Sequence, residues 1–433
     1  MTQKSTLISL IRGSSIMTTV GILGGILGYA YQIIMGRMLS SFEFALFSAV
    51  MALYVFTNSP LNAVTMAISR QVSACVALGD KVAIRMLFVK SYRGLLIGFG
   101  PAFIIFFLMA PWLQECLKSP TSAPVWFCGA ILFCMTAVGV ATAFMQALKQ
   151  FLVLGAAVLT SHILKIGFSV FLVVLGFKAS GALAGVFLAG LATCFFVVSF
   201  LYLRLKLKQS ERELKAGVVR KKPYQISVRA VVPVLVANVA FTAMTQLDMV
   251  LANYYFDATT AGNYAAASVL GKAVLYLPGG MVFALFPMVA ENFSKGESSS
   301  RLFIQAVSLT SIICFATALV YFFYSDWIIA LFYGTRYMGA SDILRWYGLA
   351  ILPMALVLVA EHFLIAQGRV LFAWLFLAIA PFELLSIQIY HQEPLMVVAI
   401  IGTFGFVTMI LGFGLLSCGY KGSSKDSKKR VEE

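Results

Sequence analysis

Residues 237–291 read ANVAFTAMTQLDMVLANYYFDATTAGNYAAASVLGKAVLYLPGGMVFALFPMVAE. The apolar runs on either side of DATTAG predict two long helices joined by a tight turn over residues 257–262. Each helix carries one ionisable residue, Asp248 in the first and Lys272 in the second. A charge at bilayer depth costs about 2.5–3.5 kcal/mol on insertion scales, so such residues face a protein interior or a wet cavity rather than lipid.

The same pattern extends in both directions. Of 433 residues, 61% are hydrophobic and 11% charged, and the mean hydropathy is +0.93. Apolar runs of about 20 residues recur along the chain, the length that crosses a bilayer as a helix. No alternating strand pattern competes with them, and helices satisfy their own backbone in lipid. The fold class is therefore an all-α polytopic membrane protein with about twelve spans.

The first run, residues 14–35, exceeds a signal-peptide core and lacks a cleavage site, so it is read as a retained span. Its Gly21, Gly24, Gly25 and Gly28 form a small-residue face suited to close helix approach. Span two covers 42–69, with Asn58, Ser59 and Pro60 interrupting it, and a basic loop holding Arg70, Lys81, Arg85, Lys90 and Arg93 follows. Spans three to six are placed at 94–113, 125–148, 151–175 and 182–203. The polar stretch 204–229 reads as a cytoplasmic basic linker. Spans seven to twelve follow at 230–255, 261–290, 302–323, 342–366, 370–390 and 394–417. The turn 324–341 is the longest outer one, and 418–433 reads as a disordered cytoplasmic tail.

The net charge of +15 is explained by topology. With the N-terminus inside, most Lys and Arg fall on cytoplasmic segments, leaving Arg37, Lys118, Lys178, Arg336 and Arg345 outside. Nucleic acid is not needed as a partner, although basic loops can touch anionic membrane lipids. The seven cysteines are scattered through apolar runs without metal spacing and serve as small hydrophobes. No nucleophile–base pair, metal set or cofactor motif is visible, so neither an enzyme nor a cofactor is predicted.

SSFEFALFSAV at 40–50 aligns with TTAGNYAAASV at 259–269, each opening a helix that later meets a proline, Pro60 or Pro278. The offset is near half the chain. Two six-helix lobes follow, 1–203 and 230–417, related by a pseudo-two-fold axis along the membrane normal, with a cavity between them.

These features resemble the multidrug/oligosaccharidyl-lipid/polysaccharide exporter superfamily, and within it the polysaccharide transporter branch of Wzx-type flippases. The likeness is sharpest at 247–287: Asp248 in span seven, the Gly262-x-Tyr264-x-x-Ala267 turn, and Pro278 and Pro287 in span eight. AISRQ at 67–71 places Arg70 at the cytoplasmic mouth. The resemblance implies a V-shaped, alternating-access transporter in the bacterial cytoplasmic (inner) membrane, with both termini cytoplasmic. The implied substrate is an undecaprenyl-diphosphate-linked oligosaccharide for cell-surface polysaccharide, with polysaccharide polymerase machinery a candidate partner. The alternative is a cation-coupled multidrug antiporter of the same superfamily.

Candidate substrate contacts are Lys165, Lys272, Arg70, His162 and Asn238. Lys165 shares its helix face with His162 and Ser169, and Lys272 shares one with Ser268 and Tyr276. Each lysine has a structural alternative, an ion pair with Asp248 in the case of Lys165. Asp248, Glu361 and Glu383 are candidates for binding a coupling H⁺ or Na⁺ or for holding a structural pair. Glu361 is expected where water reaches the cytoplasmic end of span ten, and Glu383 follows the helix-perturbing Pro381.

Overall fold

The computed structural model describes residues 3–205, 228–279, 289, 300–367 and 371–429. Ten stretches among them are long and apolar enough to cross a membrane, and the chain is a multi-pass membrane protein. One of the ten, Phe151–Arg204, has 54 residues and doubles back on itself, supplying two passes. The expected eighth span lies partly outside the described residues, as does nearly all of the basic linker.

In chain order the helices are α1 (Gln3–Met38), α2 (Ser41–Ala77), α3 (Lys81–Leu108), α4 (Ala110–Cys116), α5 (Ala123–Ala147), α6 (Phe151–Leu172) and α7 (Lys178–Arg204). They continue with α8 (Val228–Tyr255), α9 (Ala258–Gly271), α10 (Ala273–Tyr276), α11 (Ser300–Tyr333), α12 (Ala340–Ala366), α13 (Leu371–Ile389) and α14 (Pro394–Lys429).

Several boundaries differ from the sequence expectation, each for a local reason. Pro60 does not interrupt α2. It lacks the N–H that would bond to the Phe56 carbonyl, and the Ser59 hydroxyl donates to that oxygen at 2.8 Å instead. The basic loop after span two is helical up to a three-residue turn. Gly79 takes φ +68°, and the Asp80 carboxylate caps α3 by accepting from the Ala83 N–H at 2.9 Å. The long outer turn is also mostly helix, since α11 runs on through a kink at Tyr324 to Tyr333 before a short 3₁₀ turn at Thr335–Tyr337.

The turn joining α8 to α9 is shorter than expected. Asp257 is the N-cap, accepting from the Thr259 and Thr260 N–H groups at 3.0 and 3.2 Å, so Gly262 lies inside the helix. At the other end of the chain, α14 passes the expected end at 417 and reaches Lys429. Extending a formed helix carries no nucleation cost, and no proline stops it.

The chain forms two compact units. The first comprises Met1–Leu39 and Val50–Leu235; the second comprises Ser40–Ala49 and Val236–Glu433. Residues 40–49 thus pack with the second unit, although the sequence places them in the N-terminal lobe. In the first unit, α7 lies against both α6 and α5, and α1 against α6. The α6–α7 hairpin turns through a π-helical segment, Val173–Phe177, where Gly176 adopts φ +92°. Its core includes Val72, Phe88, Val140, Phe144, Val197 and Leu201.

In the second unit α12 is central, touching α9, α10, α11 and α14. The small residues of GNYAAAS explain its tightness. Ala265, Ala266 and Ala267 are fully buried. A Cβ on Gly262 would come within 2.7 Å of the Ser41 Cβ and 2.8 Å of its carbonyl oxygen. Only glycine lets α2 and α9 approach so closely.

Candidate functional site

The densest polar constellation lies in the second unit around Asp248, which is 1% exposed. Oδ1 of Asp248 accepts from the Lys272 ammonium at 2.9 Å. Oδ2 accepts from the Tyr264 hydroxyl at 2.9 Å and from the Tyr347 hydroxyl at 2.8 Å. Ser268 Oγ donates to the Tyr347 hydroxyl at 3.3 Å. A buried charge is tolerable when it is both paired and hydrogen-bonded, and this carboxylate is both.

Local helix structure builds the cluster. Asp248 and Tyr264 stand on the two sides of the turn capped by Asp257. Lys272 sits at the break between α9 and α10, where the negative end of the α9 dipole favours a cation. Tyr347 comes from α12, and its ring lies directly on Gly271, where a Cβ would overlap it. The Tyr264 and Tyr347 rings meet edge to face, 6.1 Å between centroids.

A parallel register links α8 to α13. Phe241 of α8 faces Phe376 of α13, with ring centroids 5.9 Å apart. Seven residues further along each helix come Asp248 and Glu383, about two turns on. Beyond them the Tyr255 and His391 rings stack at 3.7 Å. Glu383 is 1% exposed, and its Oε2 has no hydrogen-bond partner among the described residues. Nearby, Gln246 donates to the Tyr276 hydroxyl at 2.8 Å.

Glu361 is 3% exposed, not water-accessible as the sequence suggested. Its helix, α12, is sandwiched between α11 and α14, so a residue near its end is still enclosed. The adjoining His362 is half-buried, its Nδ1 2.9 Å from the Leu358 carbonyl. Asn238 is half-buried, one helical turn before Thr242, whose hydroxyl donates to its carbonyl at 2.6 Å.

The first unit holds a second, smaller cluster. The Lys165 ammonium sits 4.5 Å from the Tyr31 ring centroid, a cation–π contact. Within the first unit, among the described residues, no carboxylate lies within ion-pair distance of it, and Asp248 of the second unit pairs with Lys272. Tyr31 donates to the Ala182 carbonyl at 3.1 Å, and Ser169 to the same oxygen at 2.9 Å. These bonds tie α1, α6 and α7 together, and Gly185 leaves no room for a Cβ against Ser169.

The glycine face of α1 receives His162. A Cβ on Gly24 would stand 3.4 Å from His162 Nε2, whereas Gly21 and Gly25 face open space. Arg70 is exposed within the last two turns of α2.

The structure therefore gathers Asp248 with Lys272 and aligns Glu383 beside them, and it places His162 and Lys165 together in the other unit. Tyr31 and Tyr347 escaped the sequence reading. A tyrosine in an apolar helix carries no spacing signal that separates a packed ring from a carboxylate donor.

Comparison with solved structures gives an inward-facing multidrug resistance MATE family transporter of the MOP superfamily at TM-score 0.69 and 14% identity, covering 93% of this chain and 96% of that one. A eukaryotic MATE transporter, AtDTX14, matches at TM-score 0.68 and 14% identity over 98% of both chains. The lipid II flippase MurJ, in an inward closed conformation, matches at TM-score 0.69 and 12% identity, covering 93% of this chain and 87% of that one. At such identities the likeness establishes the fold. No curated protein gives a significant sequence match. The profile of the family described as polysaccharide biosynthesis protein matches residues 10–293. The chain belongs to this polysaccharide biosynthesis family, and it has the fold of the MATE and MurJ transporters.

Proposed function

We propose that the protein flips an undecaprenyl-diphosphate-linked oligosaccharide across the bacterial cytoplasmic membrane, from the inner to the outer leaflet, for cell-surface polysaccharide. The observation that carries this reading is the family match over residues 10–293. A sugar diphosphate needs a hydrated, cation-bearing surface, while a polyprenyl tail can stay in lipid. Lys165 supplies such a cation, because its charge rests on an aromatic face and not on a carboxylate. His162 beside it and Arg70 at the end of α2 extend the polar surface, and Asn238 adds a half-buried amide in the second unit.

Lys272 contributes less to an anionic substrate, since its charge is engaged by Asp248. Coupling to H⁺ or Na⁺ falls to Glu383, whose buried Oε2 is unpartnered among the described residues, with Glu361 as a further buried carboxylate. This reading puts both termini in the cytoplasm, and the excess of Lys and Arg on the segments then cytoplasmic supports it. The polymerase that consumes the flipped units is the natural partner on the far side.

Deletion and complementation test the reading. Loss of surface polysaccharide with intracellular accumulation of lipid-linked units is the expected phenotype. Unchanged glycan export in a deletion strain lacking a redundant paralogue refutes it.

A further inference from the structure

We propose that the uncovered side of α3 is a docking track for a polyprenyl diphosphate. Lys90 and Arg93 hold the diphosphate, and the tail lies along Ile97, Ile104 and Leu108. This site deepens the flippase reading and rests on it.

Helix α3 is fastened on one side only. Phe88 meets Phe144 edge to face, 5.2 Å between centroids. The Tyr92 hydroxyl donates to the Ala137 carbonyl at 2.9 Å, and the Phe103 ring meets that of Phe133 at 5.3 Å. Phe106 follows on Gly129, where a Cβ would come within 3.1 Å of its ring. These contacts run down α5 as they run up α3, so the pair is antiparallel. At 3.6 residues per turn, Phe88, Tyr92, Phe103 and Phe106 share one side of the helix.

The opposite side is uncovered. Ile97 is 76% exposed, Ile104 62% and Leu108 75%, and Lys90 and Arg93 are exposed at the head of the same stripe. Gly94 and Gly98 flank it, and a Cβ on either would meet nothing within 4 Å. Within the first unit, among the described residues, neither Lys90 nor Arg93 has a carboxylate at ion-pair distance.

Charge and length select the occupant. Side chains three apart on a helix have Cβ atoms about 5–6 Å apart, so two adjacent phosphates can engage both cations, whereas a single phosphodiester needs only one. In the orientation proposed above, this end of α3 lies at the cytoplasmic headgroup level. From Lys90 to Leu108 the stripe rises about 27 Å, nearly the whole hydrocarbon core of about 30 Å. A phospholipid chain stops near the midplane. An undecaprenyl chain is long enough to follow the stripe beyond it.

Native mass spectrometry of the full-length protein in detergent, titrated with undecaprenyl diphosphate, tests the site. Lys90→Gln/Arg93→Gln should raise the apparent Kd on the order of tenfold or more, at an unchanged Tm because both side chains are exposed. Lys90→Arg/Arg93→Lys should bind as the wild type does. Lys81 is the control, since nine residues place it on the side of the helix opposite Lys90; Lys81→Gln should leave Kd within about twofold. Cardiolipin, which also carries two phosphates, and farnesyl diphosphate, with a far shorter tail, should both bind more weakly.

Unchanged binding in the double glutamine variant overturns the proposal. So does an equal loss in Lys81→Gln, the mark of a diffuse surface charge. Cardiolipin binding as tightly through the same two residues makes this a phospholipid site and overturns the polyprenyl assignment. Farnesyl diphosphate binding as tightly overturns the part given to the tail. Binding is read here without transport, so failure of the docking site leaves the flippase reading to be decided by the deletion phenotype alone.

Discussion

The costs of truncating Asp248 and Lys272 should be strongly non-additive, the double variant losing much less than the two single losses added together. In Asp248→Leu, the Lys272 ammonium stays 7% exposed with no carboxylate at hand. Breaking a buried pair this way costs about 3–5 kcal/mol. Lys272→Met should cost less. The remaining carboxylate keeps two hydroxyl donors, from Tyr264 and Tyr347 at 2.9 and 2.8 Å, and hydrogen bonds to a charged group are each worth about 1.5–3 kcal/mol. The double variant leaves no charge behind. Its residual cost is the loss of an acceptor for two buried hydroxyls, about 1–3 kcal/mol each, offset where they bond to one another or to Ser268. Unfolding in detergent, followed by tryptophan fluorescence, gives the four free energies of the cycle. The double variant should be clearly more stable than the two single losses added together predict. Additivity within about 0.5 kcal/mol would refute the pair as an energetic unit.

Replacing Gly262 by valine should sharply lower the yield of folded protein in detergent extraction, because the new side chain meets the Ser41 Cβ at 2.7 Å and its backbone at 2.8–2.9 Å; normal monodisperse yield would show that α2 and α9 can separate freely. Asp257→Ala should cost about 0.5–2 kcal/mol through loss of the α9 cap, measurable as a lower Tm. Hydrogen bonds from Thr260 and the Thr259 backbone hold the Asp257 carboxyl below its usual range. Its folded pKa is depressed, so its stabilisation is present above the ordinary carboxylate pKa and is lost as pH falls through the folded one; the wild type should lose this difference over Asp257→Ala in acid. In complementation, Lys165→Ala should reduce polysaccharide export at normal protein level while Lys165→Arg retains it. Equal export by both variants would remove Lys165 from the substrate path.

The spans were legible because hydropathy is summed over about 20 residues and no single residue decides it. Boundaries resisted for the opposite reason, since each rests on one or two atoms. Pro60 reads as an interruption until the Ser59 hydroxyl is seen on the carbonyl that proline frees. Arg70 to Arg93 read as a loop because charge suggests water, yet helices carry charge beyond the membrane at no cost to their own hydrogen bonds. The site divides in the same way. Asp248, Lys272 and Glu383 announce themselves because lipid forbids them unless something answers their charge. What answers it could not be read: two tyrosines sixteen and ninety-nine residues away supply the hydroxyls, and a bare glycine at 271 admits one of their rings. Charge in an apolar helix says that a partner exists, while its identity depends on which faces the helices turn to each other. In this protein that is set by residues with no charge at all, the small side chains of GNYAAASVLG, which let α9 come close enough to α12 for Tyr347 to reach Asp248.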